Sequence, residues 1–245
     1  MMQRDSHLSP AYFLDSLGIK SGGISSTVLI SGQKHRAQAC LVRLENAQKV
    51  FSFAGYTFWN GVYKNKKISV GNGGAWSPDC AFLTEILCAA GAKNLIRLGS
   101  CGSMRADMAI GDYVLVTEAI CGEGSSRYYV DDGRNPLADK ELTGRLESIF
   151  KETKRMHKGI VWTTDAILKE TKDIVNSKIK QGAIAVDMVT SAFLTVARSC
   201  NANAAAVLAV SDNLITGQMG FSDKGYFEAE EKMVELALAF TSGVL

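Results

Sequence analysis

Leu95-Ile96-Arg97-Leu98-Gly99-Ser100-Cys101-Gly102-Ser103 is the stretch that decides how this chain folds. Its first four residues are apolar on both faces except for Arg97. A short run of that kind reads as a central strand covered by helices on both sides. The strand then runs into two glycines and two hydroxyl side chains. Glycine lets a backbone approach a ligand closely, and Ser100 adds a hydroxyl beside exposed N–H groups. A guanidinium within an apolar strand is costly unless an anion pairs with it. Two readings follow: Arg97, Ser100 and the glycines form a small oxyanion cradle, or Arg97 meets an internal carboxylate and the glycines only turn the chain.

The same rhythm extends in both directions. Short β-branched runs at Thr27–Ile30, Lys67–Val70, Tyr113–Val116, Gly159–Trp162, Ala183–Val186 and Ala205–Val210 alternate with helical periods. One helix is expected after Ser77, with Ser77 as its cap, Pro78 in the first turn and Leu83, Ile86, Leu87 and Ala90 as its apolar stripe. A second is expected from about Met188 to Cys200, and a last one from near Ser222, burying Met233, Leu236, Ala237 and Phe240. This alternation predicts an α/β protein, a sandwich with a largely parallel or mixed sheet. With only three prolines and no linker or repeat, residues 1–245 read as a single domain. Ligands in such sheets gather at the carboxyl ends of strands, which directs attention to the residues just after each one.

Composition removes several classes of function. The formal charge of +2 lacks the basic excess that broad nucleic-acid binding requires. The longest apolar run, around Ala204–Val210, is far short of the ~20 residues that span a bilayer. The N-terminus is polar, so no membrane association is expected and the cytoplasm is the expected compartment. None of the six cysteines stands in a Cys-x-x-Cys pair or at zinc-ligand spacing from a histidine. They read as structural thiols, with neither a metal site nor a disulfide framework.

Further candidates lie at other strand ends. Ser31-Gly32-Gln33-Lys34-His35-Arg36 offers backbone donors and cationic side chains for an anion, or is a solvated basic loop. Ser211-Asp212 follows the very apolar strand; Asp212 there would keep a raised pKa and act as a general acid, or would cap a turn. Thr164-Asp165 reads as a helix cap. Asp187-Met188 closes another strand, where Met188 either lines an apolar pocket or fills a gap in the core. Gly71-Asn72-Gly73-Gly74 lacks the spacing of a dinucleotide loop and is discounted. No Gly-x-Ser-x-Gly element for serine hydrolysis is present.

Taken in order, Ser31-Gly32 with Arg36, Arg97-Leu98-Gly99-Ser100-Cys101-Gly102, Ile110-Gly111-Asp112, Thr164-Asp165, Val186-Asp187-Met188 and Val210-Ser211-Asp212 resemble the hexameric-type nucleoside phosphorylases. These are the purine nucleoside and uridine phosphorylases, related to the methylthioadenosine nucleosidases. The resemblance extends from His7 to the last helix and implies a three-layer α/β/α sandwich with a mixed central sheet. It implies attack of inorganic phosphate on the anomeric carbon of a nucleoside, giving free base and pentose 1-phosphate with no cofactor or metal. It assigns Gly32, Arg36, Arg97 and Ser100 to phosphate, and Asp212 to protonation of a purine leaving group. Met188 would pack on the ribose, and His7 would serve the 5′-hydroxyl of a neighbouring subunit. Asp187, Val189, Ile167 and Ser211 complete the implied nucleoside site. The resemblance further implies a homo-oligomer, a dimer-built hexamer, whose partners are otherwise small molecules.

The chain departs from that pattern mainly around sugar and base. Where the family has Glu-Met-Glu, this chain has Asp187-Met188-Val189, and Val189 cannot accept hydrogen bonds from ribose hydroxyls. Ala54 stands where a partner's phosphate-binding arginine aligns. Ile167 and Leu168 replace the aromatic that stacks on the base. Thr171 and Asp173 fall where a uracil-reading Gln–Arg pair would be, which favours purine-type chemistry over uridine. Lys224 is the residue nearest to an arginine that assists the acid, and lysine lacks its bidentate geometry. The reading is a nucleoside phosphorylase, with a deoxynucleoside as one route to tolerating Val189. A hydrolytic nucleosidase of the same fold and a catalytically weak nucleoside- or anion-binding paralogue are the alternatives.

Overall fold

The computed structural model describes residues 8–130, 133–153 and 155–243. Its elements run α1 (Pro10–Ser16), β1 (Thr27–Ser31), α2 (Lys34–Leu41), β2 (Glu45–Phe53), β3 (Tyr56–Tyr63), β4 (Lys66–Asn72) and α3 (Ser77–Ala89). They continue with β5 (Asn94–Ser103), β6 (Tyr113–Gly122), α4 (Lys140–Phe150), β7 (Met156–Thr164), α5 (Lys172–Lys180), β8 (Ala183–Asp187), α6 (Thr190–Ser199), β9 (Asn203–Asn213) and α7 (Lys224–Ser242).

All seven predicted strands are present, within one mixed sheet of order β2-β3-β4-β1-β5-β8-β7-β6-β9. β1 is parallel to both β4 and β5, and β5 is parallel to β9. β5 also meets β8 antiparallel at Gly102↔Val186 and Ser103↔Ala185. Because β9 pairs with β6 as well, strands β5, β8, β7, β6 and β9 close into a ring. The carboxyl end of β5 is therefore held from both sides.

Period-two alternation builds the layers. On β5, Leu95 enters one apolar cluster with α1, α3 and α6, whereas Ile96 and Leu98 enter the opposite one with α2, α4 and α7. β9 does the same: Ala204, Ala206 and Leu208 face the first cluster, and Ala205, Val207 and Ala209 the second. A smaller cluster places Val175 of α5 against Trp162 and Val186. This is the expected α/β/α arrangement. Among the described residues no helix is long and apolar enough to cross a membrane.

Two strands were not foreseen. β2 is mostly exposed, which removes the alternation that would reveal it. Its hairpin to β3 turns on Ala54 and Gly55, with φ of 49° and 85°, and the next hairpin turns on Lys64 and Asn65, with φ of 45° and 65°. Two consecutive positive φ values are what a tight two-residue hairpin requires, but neither pair carries the usual Asn-Gly or Asp-Gly signal.

Two helix starts also differ from expectation. Ser77 is the first residue of α3, not its cap; the cap position belongs to Trp76, and Ser77 Oγ donates to the Met188 carbonyl at 2.8 Å. Asp165 caps no helix: its carboxylate accepts from the Gly124 N–H at 2.8 Å, and Thr171 caps α5 instead.

Candidate active site

The carboxyl end of β5 gathers most of the predicted residues. Arg97 has the same strand parity as Leu95, so it faces the α3–α6 layer, and it is 4% exposed. Its Nη1 donates to the Gly74 carbonyl over 3.4 Å, and its Nε has no hydrogen-bond partner among the described residues. No described carboxylate pairs with it. Gly32 abuts the same peptide: a Cβ there would come within 2.9 Å of Gly74 O. The discounted glycine run 71–74 thus packs against both Gly32 and Arg97. Its signal was hidden because the loop serves an arginine distant in sequence and matches no dinucleotide pattern.

Arg36 is also buried, at 2% exposed, so the solvated-loop reading fails for it while Lys34 stays exposed. Its Nε lies 3.2 Å from Glu230 Oε1, and its Nη1 donates to the Leu98 carbonyl at 3.0 Å. Burial pulls the Arg36 guanidinium below its ordinary pKa, and Glu230 opposes that shift. Glu230, 2% exposed, also receives the Tyr226 hydroxyl at 2.8 Å and lies 2.8 Å from His35 Nε2. Tyr226 in turn meets the Ser100 hydroxyl, and its phenol is pushed up in pKa by burial. Sequence reading missed Glu230 and Tyr226. Their signal was an i, i+4 polar pair on the buried stripe of α7 that leads to Met233.

Asp212 ends β9 beside Gly102, where a Cβ would lie 2.7 Å from its Oδ2 and 2.5 Å from Leu214 Cδ1. Burial raises the Asp212 carboxyl above its ordinary pKa, while the Ser211 hydroxyl, donating at 2.7 Å, works the other way. It caps no turn; the neighbouring Asn213 side chain accepts from Ile215 and Thr216 N–H instead. Glu170, just after the 3-10 turn Ile167–Lys169, has its carboxyl pushed up to about 7, first by burial and then by the charge of Asp212. Nothing local in the sequence marks Glu170, because its partner is 42 positions away. Between the arginine and carboxyl ends, the Cys101 thiol is pushed well above its ordinary pKa by burial and by Asp187 and Asp212.

The remaining candidates divide. Asp187 is buried and its oxygens are occupied: Thr163 Oγ1 donates at 2.8 Å, Thr190 Oγ1 at 2.6 Å, and Thr190 N at 3.0 Å. It anchors the start of α6. Val189 is 1% exposed and belongs to the apolar cluster under α3 and α6. Met188 packs against that cluster with its carbonyl held by Ser77. Ser211 is buried against Asp212, whereas Ile167 is 50% exposed on the open side. His7 lies outside the described residues. A cavity of about 580 Å³ lies beside the start of α3, lined by Pro78, Phe82, Gly124, Tyr128 and Asp165. Among the described residues no cluster of three or more His, Cys, Asp or Glu could hold a metal ion.

The architecture is that of solved nucleoside phosphorylases. Purine nucleoside phosphorylase from Toxoplasma gondii, in complex with immucillin-H, superposes with a TM-score of 0.84 at 20% identity over 100% of this chain and 98% of its own. Uridine phosphorylase from Vibrio fischeri ES114 gives 0.82 at 24% identity over 94% and 98%. The chain belongs to the phosphorylase superfamily, whose family model matches residues 27–244. Among curated relatives, the DeoD-type purine nucleoside phosphorylase of Jannaschia sp. (strain CCS1) is 31% identical over 229 residues, covering 91% of this chain and 96% of the relative. Its counterpart in Brevibacillus brevis is 29% identical over 226 residues, with the same coverage.

Proposed function

We propose that this protein is a nucleoside phosphorylase that cleaves a purine-type N-glycosidic bond with inorganic phosphate as co-substrate and no other cofactor. The observation that carries the reading is the Arg97 guanidinium. It is buried, with no carboxylate partner among the described residues, beside Gly32 and Gly74 and three residues from Ser100. A cation so placed is stabilised when an anion arrives, which suits a phosphate nucleophile better than water. Arg36 supports the cradle from behind, fixed by Glu230 and the Leu98 carbonyl.

The chemistry then runs along β5. A phosphate oxygen held at Arg97 and Ser100 forms a bond to the anomeric carbon as the bond to the base nitrogen breaks. The proton on Asp212 passes to the departing base, and its raised pKa keeps that proton available. Positioning and fixed charge do the rest. With Val189 in the core and the Asp187 oxygens occupied, neither accepts the sugar hydroxyls, which favours nucleosides lacking one or both. A homo-oligomer built from dimers fits the exposed Trp76, Tyr128 and Leu168, at 54%, 78% and 93%, and the cytoplasm is the proposed location.

The test is a panel of ribo- and deoxyribonucleosides, purine and pyrimidine, assayed for free base with and without inorganic phosphate. Release that requires phosphate supports the phosphorylase. Release without phosphate moves the reading to a hydrolytic nucleosidase, and no release from folded protein moves it to a binding paralogue.

A further inference from the structure

No disulfide joins the six cysteines among the described residues, and four of them are accounted for by burial or by neighbouring hydroxyls, which leaves Cys88 and Cys200 as a pair. Cys40, Cys80 and Cys101 are buried. Cys121 is exposed, but the side chains that meet its thiol are the hydroxyls of Ser126, Ser191 and Thr195. Cys88 stands in the last turn of α3, and Cys200 is the C-cap of α6. α3 packs on α6, which brings Cys88 and Cys200 together at the C-terminal ends of the two helices. Both are only partly buried, and both line a cavity of about 860 Å³ together with Glu85, Tyr129 and Arg198. This cavity gives small polar molecules a path to the two sulfurs.

We propose that Cys88 and Cys200 form an oxidisable dithiol that a hydroperoxide converts into an intramolecular disulfide, joining the C-terminal ends of α3 and α6. One of the two thiols, taken as Cys200, makes the first attack. The Cys200 thiolate takes the distal peroxide oxygen, forming a sulfenic acid and releasing hydroxide or alkoxide. The Cys88 sulfur, losing its proton, then attacks the Cys200 sulfur and displaces hydroxide. Two thiols lose two electrons in total, and with hydrogen peroxide the oxidant becomes two waters. The staple is remote from the chemistry. Ser77, at the other end of the 13-residue α3, holds Met188, and a rise of ~1.5 Å per residue over the eleven steps to Cys88 places it roughly 16 Å away. In a reducing compartment such a bond is a reversible redox response rather than a permanent support.

The full-length protein is treated with hydrogen peroxide, unfolded, and its remaining thiols alkylated and counted. The expected result is two fewer than the original six, with non-reducing digestion linking the Cys88 peptide to the Cys200 peptide. Dithiothreitol should restore all six, and C88S should give no linked peptide. Retention of six thiols in wild type, a bond through Cys121, or oxidation confined to single cysteines would each overturn the proposal. The outcome is independent of which nucleoside the protein cleaves.

Discussion

Arg36 and Arg97 are both buried, yet among the described residues only Arg36 meets a carboxylate: Glu230 lies 3.2 Å from its Nε, while Arg97 has the Gly74 carbonyl at 3.4 Å. Two guanidinium groups at one strand end therefore do different work. One is paired with a buried carboxylate; the other is the cation that the proposed function assigns to phosphate. Substituting each should have opposite effects on stability.

Arg97→Met should weaken phosphate binding by about 10- to 100-fold, the loss expected for charge-assisted hydrogen bonds worth ~1.5–3 kcal/mol. Its unfolding free energy should stay level or rise, because a buried charge without a partner has been removed. Arg36→Met should instead destabilise the fold by on the order of 3–5 kcal/mol, since Glu230 loses its cation while remaining buried. Urea melts together with the KM for phosphate separate the two. An unchanged phosphate KM in Arg97→Met would remove Arg97 from the cradle.

Asp212→Asn should lower kcat by roughly 10²- to 10⁴-fold, the usual contribution of a positioned general acid. Phosphate binding should survive, because the cradle lies at the opposite end of the Arg97–Gly102 segment. Calorimetric titration with phosphate beside steady-state rates gives both quantities. Full turnover in the variant would place the acid elsewhere.

Gly102→Ala tests the tight approach between β5 and Asp212. The added methyl would sit 2.7 Å from Asp212 Oδ2 and 2.5 Å from Leu214 Cδ1, so the carboxyl must shift. A displacement of about 1 Å costs up to ~10²-fold in rate. A loss of at least about tenfold in kcat with an intact far-UV spectrum is the expected result.

Glu170 should leave a mark on the pH dependence of stability. Its folded carboxyl is raised to about 7, so between its ordinary value near ~4.3 and that point the folded state holds more proton than the unfolded chain. Stability from this group is present below the ordinary value and is lost as pH climbs through the window, levelling off above about 7. Glu170→Gln should flatten that slope. Urea midpoints measured from about pH 4.5 to 8 check it, and identical slopes in both proteins would show that burial and Asp212 do not raise the Glu170 carboxyl.

The sequence by itself determined the seven buried strands, the helices after Ser77 and near Ser222, and the concentration of chemistry after Leu98. Each is written locally, in period-two or period-3.6 apolar spacing and in glycine and hydroxyl residues at strand ends. It also placed Asp212 at the end of its most apolar strand, where burial raises the carboxyl. Tertiary structure alone decided which arginine is neutralised, because Glu230 lies 194 positions from Arg36 and reaches it only when α7 packs on α2. It also decided that Asp187 is spent on Thr163 and Thr190 and that Val189 belongs to the core. The closeness of Glu170 to Asp212 and of Cys88 to Cys200 was settled the same way. Spacing along a chain fixes which face of an element is apolar, whereas the partner of a buried charge or thiol depends on how separate elements meet, which no local period encodes.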